Sequence, residues 1–112
     1  MESRQREIRH YRTKNGTIPF QIWFGNLEDI RAKTKIGMRL ERAEAGNFGD
    51  CNSVGDGVHE MKINFGPGYR IYFGQEGMEV IILLCGGDKS TQQKDILTAK
   101  GYWADYHRRK NI

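Results

Sequence analysis

The 112 residues contain only two cysteines, no closely spaced histidines, no internal repeat and no apolar run longer than six residues. The longest run, Val80 to Cys85, falls far short of the roughly 20 residues of a membrane-spanning helix, so no transmembrane segment is expected. Cys51 and Cys85 form no CxxC motif and lie near no histidine pair, which argues against a zinc site or a disulfide scaffold. Two reduced, largely buried thiols are the expectation. His10, His59 and His107 are scattered, without the spacing of metal ligands or of a catalytic triad. Met1 to Tyr11 is charged and polar where a secretion signal would be apolar, so the expected compartment is the cytoplasm. Without repeats, low-complexity tracts or a linker, residues 5–108 read as one domain, and Arg108 to Ile112 as a frayed basic tail.

Apolar residues make up 38% of the chain, somewhat low, but aromatics at 11% supply bulky core material and argue against a disordered polar polymer. Eighteen Lys and Arg against fourteen Asp and Glu leave a net charge of +4. That excess favours a polyanionic partner: RNA, DNA or an acidic protein.

Ile8 and Tyr11, among charged neighbours in residues 5–13, fit a short edge strand. After a turn at Asn15-Gly16, Pro19 sits where a helix tolerates it, and Phe20, Trp23, Phe24 and Leu27 share one helical face. A second helix is predicted from Leu27 or Glu28 to Ala45, with Ile30, Ile36, Leu40 and Ala43 inward and Arg31, Lys33, Lys35, Arg39 and Arg42 outward. Its basic face is either solvated surface or a contact for a polyanion. A glycine-rich loop, Gly49 to Gly57, then precedes a change of period from 3.6 to 2.

Met61, Ile63 and Phe65, then Tyr69, Ile71 and Phe73, alternate with polar residues around Gly66-Pro67-Gly68. A three-residue loop would pair Phe65 with Tyr69, Ile63 with Ile71 and Met61 with Phe73, keeping one face apolar. The other face would then set Lys62 across from Tyr72 and Asn64 across from Arg70. Glu79 to Cys85 is apolar throughout, as a central strand covered on both faces would be, with Gly86-Gly87-Asp88 closing it. Ser90-Thr91-Gln92-Gln93 reads as a capping box opening a last helix, which turns Ile96, Leu97, Ala99 and Trp103 inward and bends or stops near Gly101.

Gly86 to Thr91 imitates a phosphate loop but fails on spacing, since Asp88 separates the glycines from Lys89. Lys89 nevertheless leaves the sheet beside a helix N-terminus, which favours anions. Glu41 and Glu44 lie on a basic helix where ion pairing explains them. The remaining constellation is Lys62, Arg70, Tyr72 and Lys89, with Lys94 one turn into the last helix. It reads either as a solvated basic sheet face or as a site for RNA cleavage without metal. Such cleavage needs the 2′-hydroxyl deprotonated, the phosphorane charge neutralised and the leaving 5′-oxygen protonated. Arg offers phosphate a planar fork and Lys a proton.

The blocks Gly46-Asn47-Phe48-Gly49-Asp50, Gly55-Asp56-Gly57-Val58-His59-Glu60, Gly66-Pro67-Gly68-Tyr69-Arg70-Ile71-Tyr72-Phe73 and Gly86-Gly87-Asp88-Lys89-Ser90-Thr91-Gln92 resemble the RelE/ParE superfamily of bacterial type II toxins. Within it they resemble the HigB-like "addiction module killer protein" branch, over residues 17–105. The resemblance implies an α+β fold with an N-terminal strand, a helical hairpin, a small antiparallel sheet and a C-terminal helix. It implies a cytoplasmic toxin neutralised by a helix-turn-helix, HigA-like antitoxin and acting on mRNA in the ribosome, with no metal, cofactor or membrane. Arg70 matches the family's arginine in GYR, Lys62 its lysine on the preceding strand, and Lys89 its basic residue after the last strand. Asn64, Lys94, Lys35 and Arg39 are then the RNA-binding candidates.

One departure stands out. Asp95 occupies the position of RelE's late tyrosine, and no histidine lies between His59 and His107, so proton transfer is unassigned between the Tyr72 phenol and the Lys94 ammonium. ParE members share the fold and poison DNA gyrase instead. That alternative would work through the helices and make Lys33, Lys35 and Arg39 matter more than Arg70. The antitoxin would either neutralise the basic sheet face with an acidic segment or clamp the helices.

Overall fold

The change of period near residue 50 separates helices from sheet, and the chain returns to a helix only after the last strand. The structure, a computed structural model, describes residues 5–110. Strand β1 (Glu7–His10) leads into helices α1 (Pro19–Gly25) and α2 (Ile30–Glu44). Strands β2 (Cys51–Gly55), β3 (Val58–Ile63), β4 (Tyr69–Glu76) and β5 (Val80–Asp88) follow, and a 3-10 turn over Lys89–Thr91 opens helix α3 (Gln92–Lys110). The sheet runs β1-β5-β4-β3-β2 and is mixed: β1 lies parallel to β5, and all other pairs are antiparallel. The fold is α+β, with the expected N-terminal strand, helical pair, hairpin and C-terminal helix in order and an internal β5.

Successive strand residues point to opposite faces. Met61, Ile63, Ile71, Phe73, Ile81 and Leu83 join Phe20 and Ile36 from α1 and α2 in one core. Val58, Tyr72, Ile82, Leu84 and Cys85 join Ala99 and Trp103 from α3 in a second. A bulge in β5 opposite Tyr72 and Phe73 places consecutive Leu84 and Cys85 in the same core. Glycines make close docking possible: a methyl on Gly86 would lie 2.2 Å from the Trp23 ring, and one on Gly74 would lie 2.5 Å from the Trp103 ring.

Several expectations need correction. The loop from Gly49 to Gly57 contains strand β2, joined to β3 by Asp56 and Gly57 at φ of 55° and 82°, the conformation a two-residue hairpin turn requires. The β3–β4 register pairs Ile63 with Tyr69, Met61 with Ile71 and His59 with Phe73. It is displaced by two residues from the predicted one because Phe65 enters a turn closed by the Gly68 N–H on its carbonyl, 3.0 Å. Strand β5 continues through the glycines to Asp88. The cap is Asp88, accepting from the Ser90 N–H at 2.8 Å, two residues before the predicted box. Ile30 (77% exposed) and Leu97 (71%) face outward. Helix α3 runs through Gly101, and residues 108–110 of the expected frayed tail are helical; residues 111–112 lie outside the described part. No helix among the described residues is long and apolar enough to cross a membrane.

Candidate nucleic-acid interface

The observed register sets Lys62 directly across from Arg70 and Glu60 across from Tyr72. On the other side of β4, Arg70 pairs with Gly87 and Tyr69 with Asp88, so Lys89 emerges at the same end of the sheet. The closeness is measurable at Gly68, where an added methyl would lie 3.4 Å from Arg70 Nη1 and 3.5 Å from Lys89 Cβ. Three cations from β3, β4 and the segment after β5 thus gather at one sheet end. Lys62 and Arg70 are partly exposed and Lys89 is exposed.

The face behind them is not open, because α3 lies across it. Glu60, 2% exposed, is the buried acid of that face. Its Oε2 accepts hydrogen bonds from the Tyr72 hydroxyl and from Gln92 Nε2, both at 2.9 Å. The same oxygen lies 3.7 Å from Arg70 Nε, whose side chain is 11% exposed. Arg70 Nη1 also donates to the Gly68 carbonyl at 3.2 Å, in the turn before β4. Burial first, and then the bond to Glu60, push the Tyr72 phenol well above its ordinary 10.0. Tyr72, expected as a candidate catalytic phenol, is fully buried and holds Glu60. Glu60 escaped the sequence reading, although its place two residues before Lys62 in an alternating strand put both on one face.

Asp95, at the departure from the family pattern, lies over the sheet. A methyl on Gly87 would fall 1.8 Å from Asp95 Oδ2, which accepts the Thr91 hydroxyl at 2.5 Å. Lys94 is exposed and shares with Lys89 a hollow of about 480 Å³ at the start of α3.

The remaining candidates divide. Arg39, predicted to face outward, turns in and donates to the backbone carbonyls of Lys62, Phe48 (3.0 Å) and Asp50 (3.5 Å). Desolvation lowers its pKa, and it braces α2 against the end of β3. Lys35 stays exposed with Nζ 5.2 Å from the Phe65 ring centre, and it lines with exposed Asn64 a groove of about 180 Å³. The histidines are packing residues: His10 lies beside Phe20, His59 on Phe73 and His107 edge-on to Trp103. Cys85 is buried and its thiol is pushed up to about 12 by desolvation; Cys51 is half-buried.

Fold and site together describe a small α+β protein with a cationic sheet end braced by a buried acid. A protein of Haemophilus influenzae, described as an uncharacterized protein, is 51% identical over 84 residues, covering 75% of this chain and 85% of that one. The chain belongs to the same family as that protein. No family model matches it, and no solved structure does.

Proposed function

We propose that the chain is the toxin of a type II toxin–antitoxin pair, of RelE/ParE type in the HigB-like branch. In this reading it acts in the cytoplasm as a metal-independent endoribonuclease on ribosome-bound mRNA, and a helix-turn-helix antitoxin restrains it. The observation that carries the reading is the convergence of Lys62, Arg70 and Lys89 at one end of the sheet. In the reaction the 2′-oxygen gives its proton to solvent water and bonds to phosphorus while the bond to the 5′-oxygen breaks and that oxygen takes up a proton, leaving a cyclic phosphate and a 5′-hydroxyl. The Arg70 fork and the Lys62 ammonium stabilise the phosphorane charge, and Lys89 grips the neighbouring phosphate. Lys94, Asn64 and Lys35 extend the binding track; Arg39 supports it from behind. With Tyr72 buried, the exposed ammonium group of Lys94 remains to deliver the proton to the leaving oxygen.

A second reading, gyrase inhibition of ParE type, draws on the exposed Ile22, Ile30 and Met38 of α1 and α2. Inducing the chain without antitoxin and mapping mRNA 5′ ends separates the two. Cuts at a fixed place within translated codons, lost in Arg70→Ala, support the ribonuclease. Growth arrest with trapped gyrase and intact mRNA selects the second reading.

A further inference from the structure

The ribonuclease reading uses the Arg70 guanidinium and leaves the buried acid behind it without a task. Glu60 sits on β3, diagonal to Arg70 across the β3–β4 ladder and on the same sheet face. Its Oε2 faces Arg70 Nε at 3.7 Å, and that Nε is buried with no hydrogen-bond partner. The only hydrogen bond the guanidinium makes to a described residue is from Nη1 to the Gly68 carbonyl. The group is thus held along one edge by a buried negative charge and at one corner by a backbone carbonyl. A guanidinium has five N–H donors in a fixed plane, so pinning that edge fixes where the others point. Glu60 is itself fixed, by the Tyr72 hydroxyl from β4 and by Gln92 from the first turn of α3.

Resting on the ribonuclease reading, we infer that Glu60 is a positioning residue: its carboxylate, clamped by Tyr72 and Gln92, orients the Arg70 fork toward the scissile phosphate. Glu60 touches no substrate, since it is covered by Tyr72, Gln92 and Arg70 itself. A buried charge so arranged acts more strongly on its neighbour than an exposed one would, because less water screens it. Misplacing a phosphate-binding group by about 1 Å lowers the chemical step about 100-fold, and that step rather than ground-state binding should respond.

The test is Glu60→Gln in the full chain, assayed on ribosomes programmed with a defined mRNA. The glutamine oxygen can still accept from Tyr72 and Gln92, so packing is kept while the charge is lost. Expected is a fall in kcat of about 10- to 100-fold with KM changed less than about threefold. In an Arg70→Lys background, which lacks the guanidinium edge, the same substitution should change kcat less than about twofold. Glu60→Asp, which keeps a carboxylate, should recover part of the rate. Side-chain NMR gives a readout independent of cleavage: the Arg70 Nε–H should exchange slowly with solvent in the wild type and at least about tenfold faster in Glu60→Gln. Unchanged exchange and unchanged kcat would overturn the inference, as would equal losses in both Arg70 backgrounds. If Glu60→Gln does not fold, Glu60→Asp carries the exchange measurement: its shorter carboxylate is drawn back from Arg70, so the Nε–H should exchange faster than in the wild type but less than about tenfold faster, and exchange as slow as the wild type's would overturn the inference. If the wild type cuts no mRNA, the ribonuclease reading falls, and the exchange measurement alone decides whether Glu60 holds Arg70.

Discussion

Substituting Gly74 with alanine should destabilise this protein, and the same change should become neutral or stabilising once Trp103 is removed. Gly74 is buried in β4, and its Cβ position lies 2.5 Å from Trp103 Cη2 and Cζ3 and 2.6 Å from Cε3. Carbon atoms pack at about 3.5–4.0 Å, so the indole must retreat by about 1 Å. It has little room. Trp103 also closes on Gly57, where a methyl would lie 2.7 Å from Nε1, and it stacks on Tyr106 at 5.3 Å between ring centres. Overpacking of this kind costs about 1–3 kcal/mol, against about 0.4–1 kcal/mol regained from the stiffer unfolded chain, so a net loss of about 1–2 kcal/mol is expected. Trp103→Ala alone should cost about 3–5 kcal/mol. In that background the clash is gone and only the unfolded-state gain remains, so Gly74→Ala should add up to about 1 kcal/mol of stability. Urea denaturation of the four proteins, compared at constant m, measures each term. Equal effects of Gly74→Ala in both backgrounds would refute the argument that α3 docks by laying Trp103 on bare backbone.

Gly101→Ala should raise stability by about 0.5–1 kcal/mol in thermal melts, because Gly101 is exposed in mid-helix and an added methyl meets nothing within 4 Å. Arg39→Met should cost about 1–2 kcal/mol by taking the guanidinium from the part-buried carbonyls of Lys62 and Phe48, whereas Lys35→Met should stay within about 0.5 kcal/mol and weaken only RNA binding; the same melts, with a filter-binding assay, check both. Tyr11 hydrogen-bonds Asp105 at 2.6 Å, and burial followed by that bond raises its phenol from 10.0 to about 12. The unfolded chain then loses its proton first, so stability should fall as pH rises between 10 and about 12, and Tyr11→Phe should flatten part of that fall in pH-dependent denaturation. Iodoacetamide at neutral pH should leave Cys85 unmodified until the chain unfolds, as mass mapping after denaturant pulses would show.

Much of this was legible because apolar periodicity reports burial directly. Phe20 with Trp23, and Met61 with Ile63, each fall on the face their spacing assigns. The errors occur where one local signal answers to two structures. A slip of two residues between β3 and β4 leaves every side chain on its own face, so the hydrophobic pattern allows both registers, and only the Phe65–Gly68 turn selects one. Strand β2 is short, polar and at the edge, and its signal was the Asp56-Gly57 turn rather than any apolar alternation. Leu97 was assigned inward by composition, whereas the sheet takes Ile96, Ala99 and Trp103 from the neighbouring stripe of α3.

By itself the sequence determined the α+β class, the order of the elements other than β2, the faces of the strands and the placing of Lys62 and Arg70 on the same side of one hairpin. These follow from local spacing and backbone geometry, which a single chain carries in full. Tertiary structure decided the rest. Helix α3 covers the face that carries the cations, so Tyr72 became a buried brace and Glu60 the acid beneath Arg70. Arg39 turned inward because the carbonyls of β3 and the following loop lie within its reach. Such roles depend on which distant segment covers a polar residue, and the spacing of that residue within its own strand or helix does not say which segment that is.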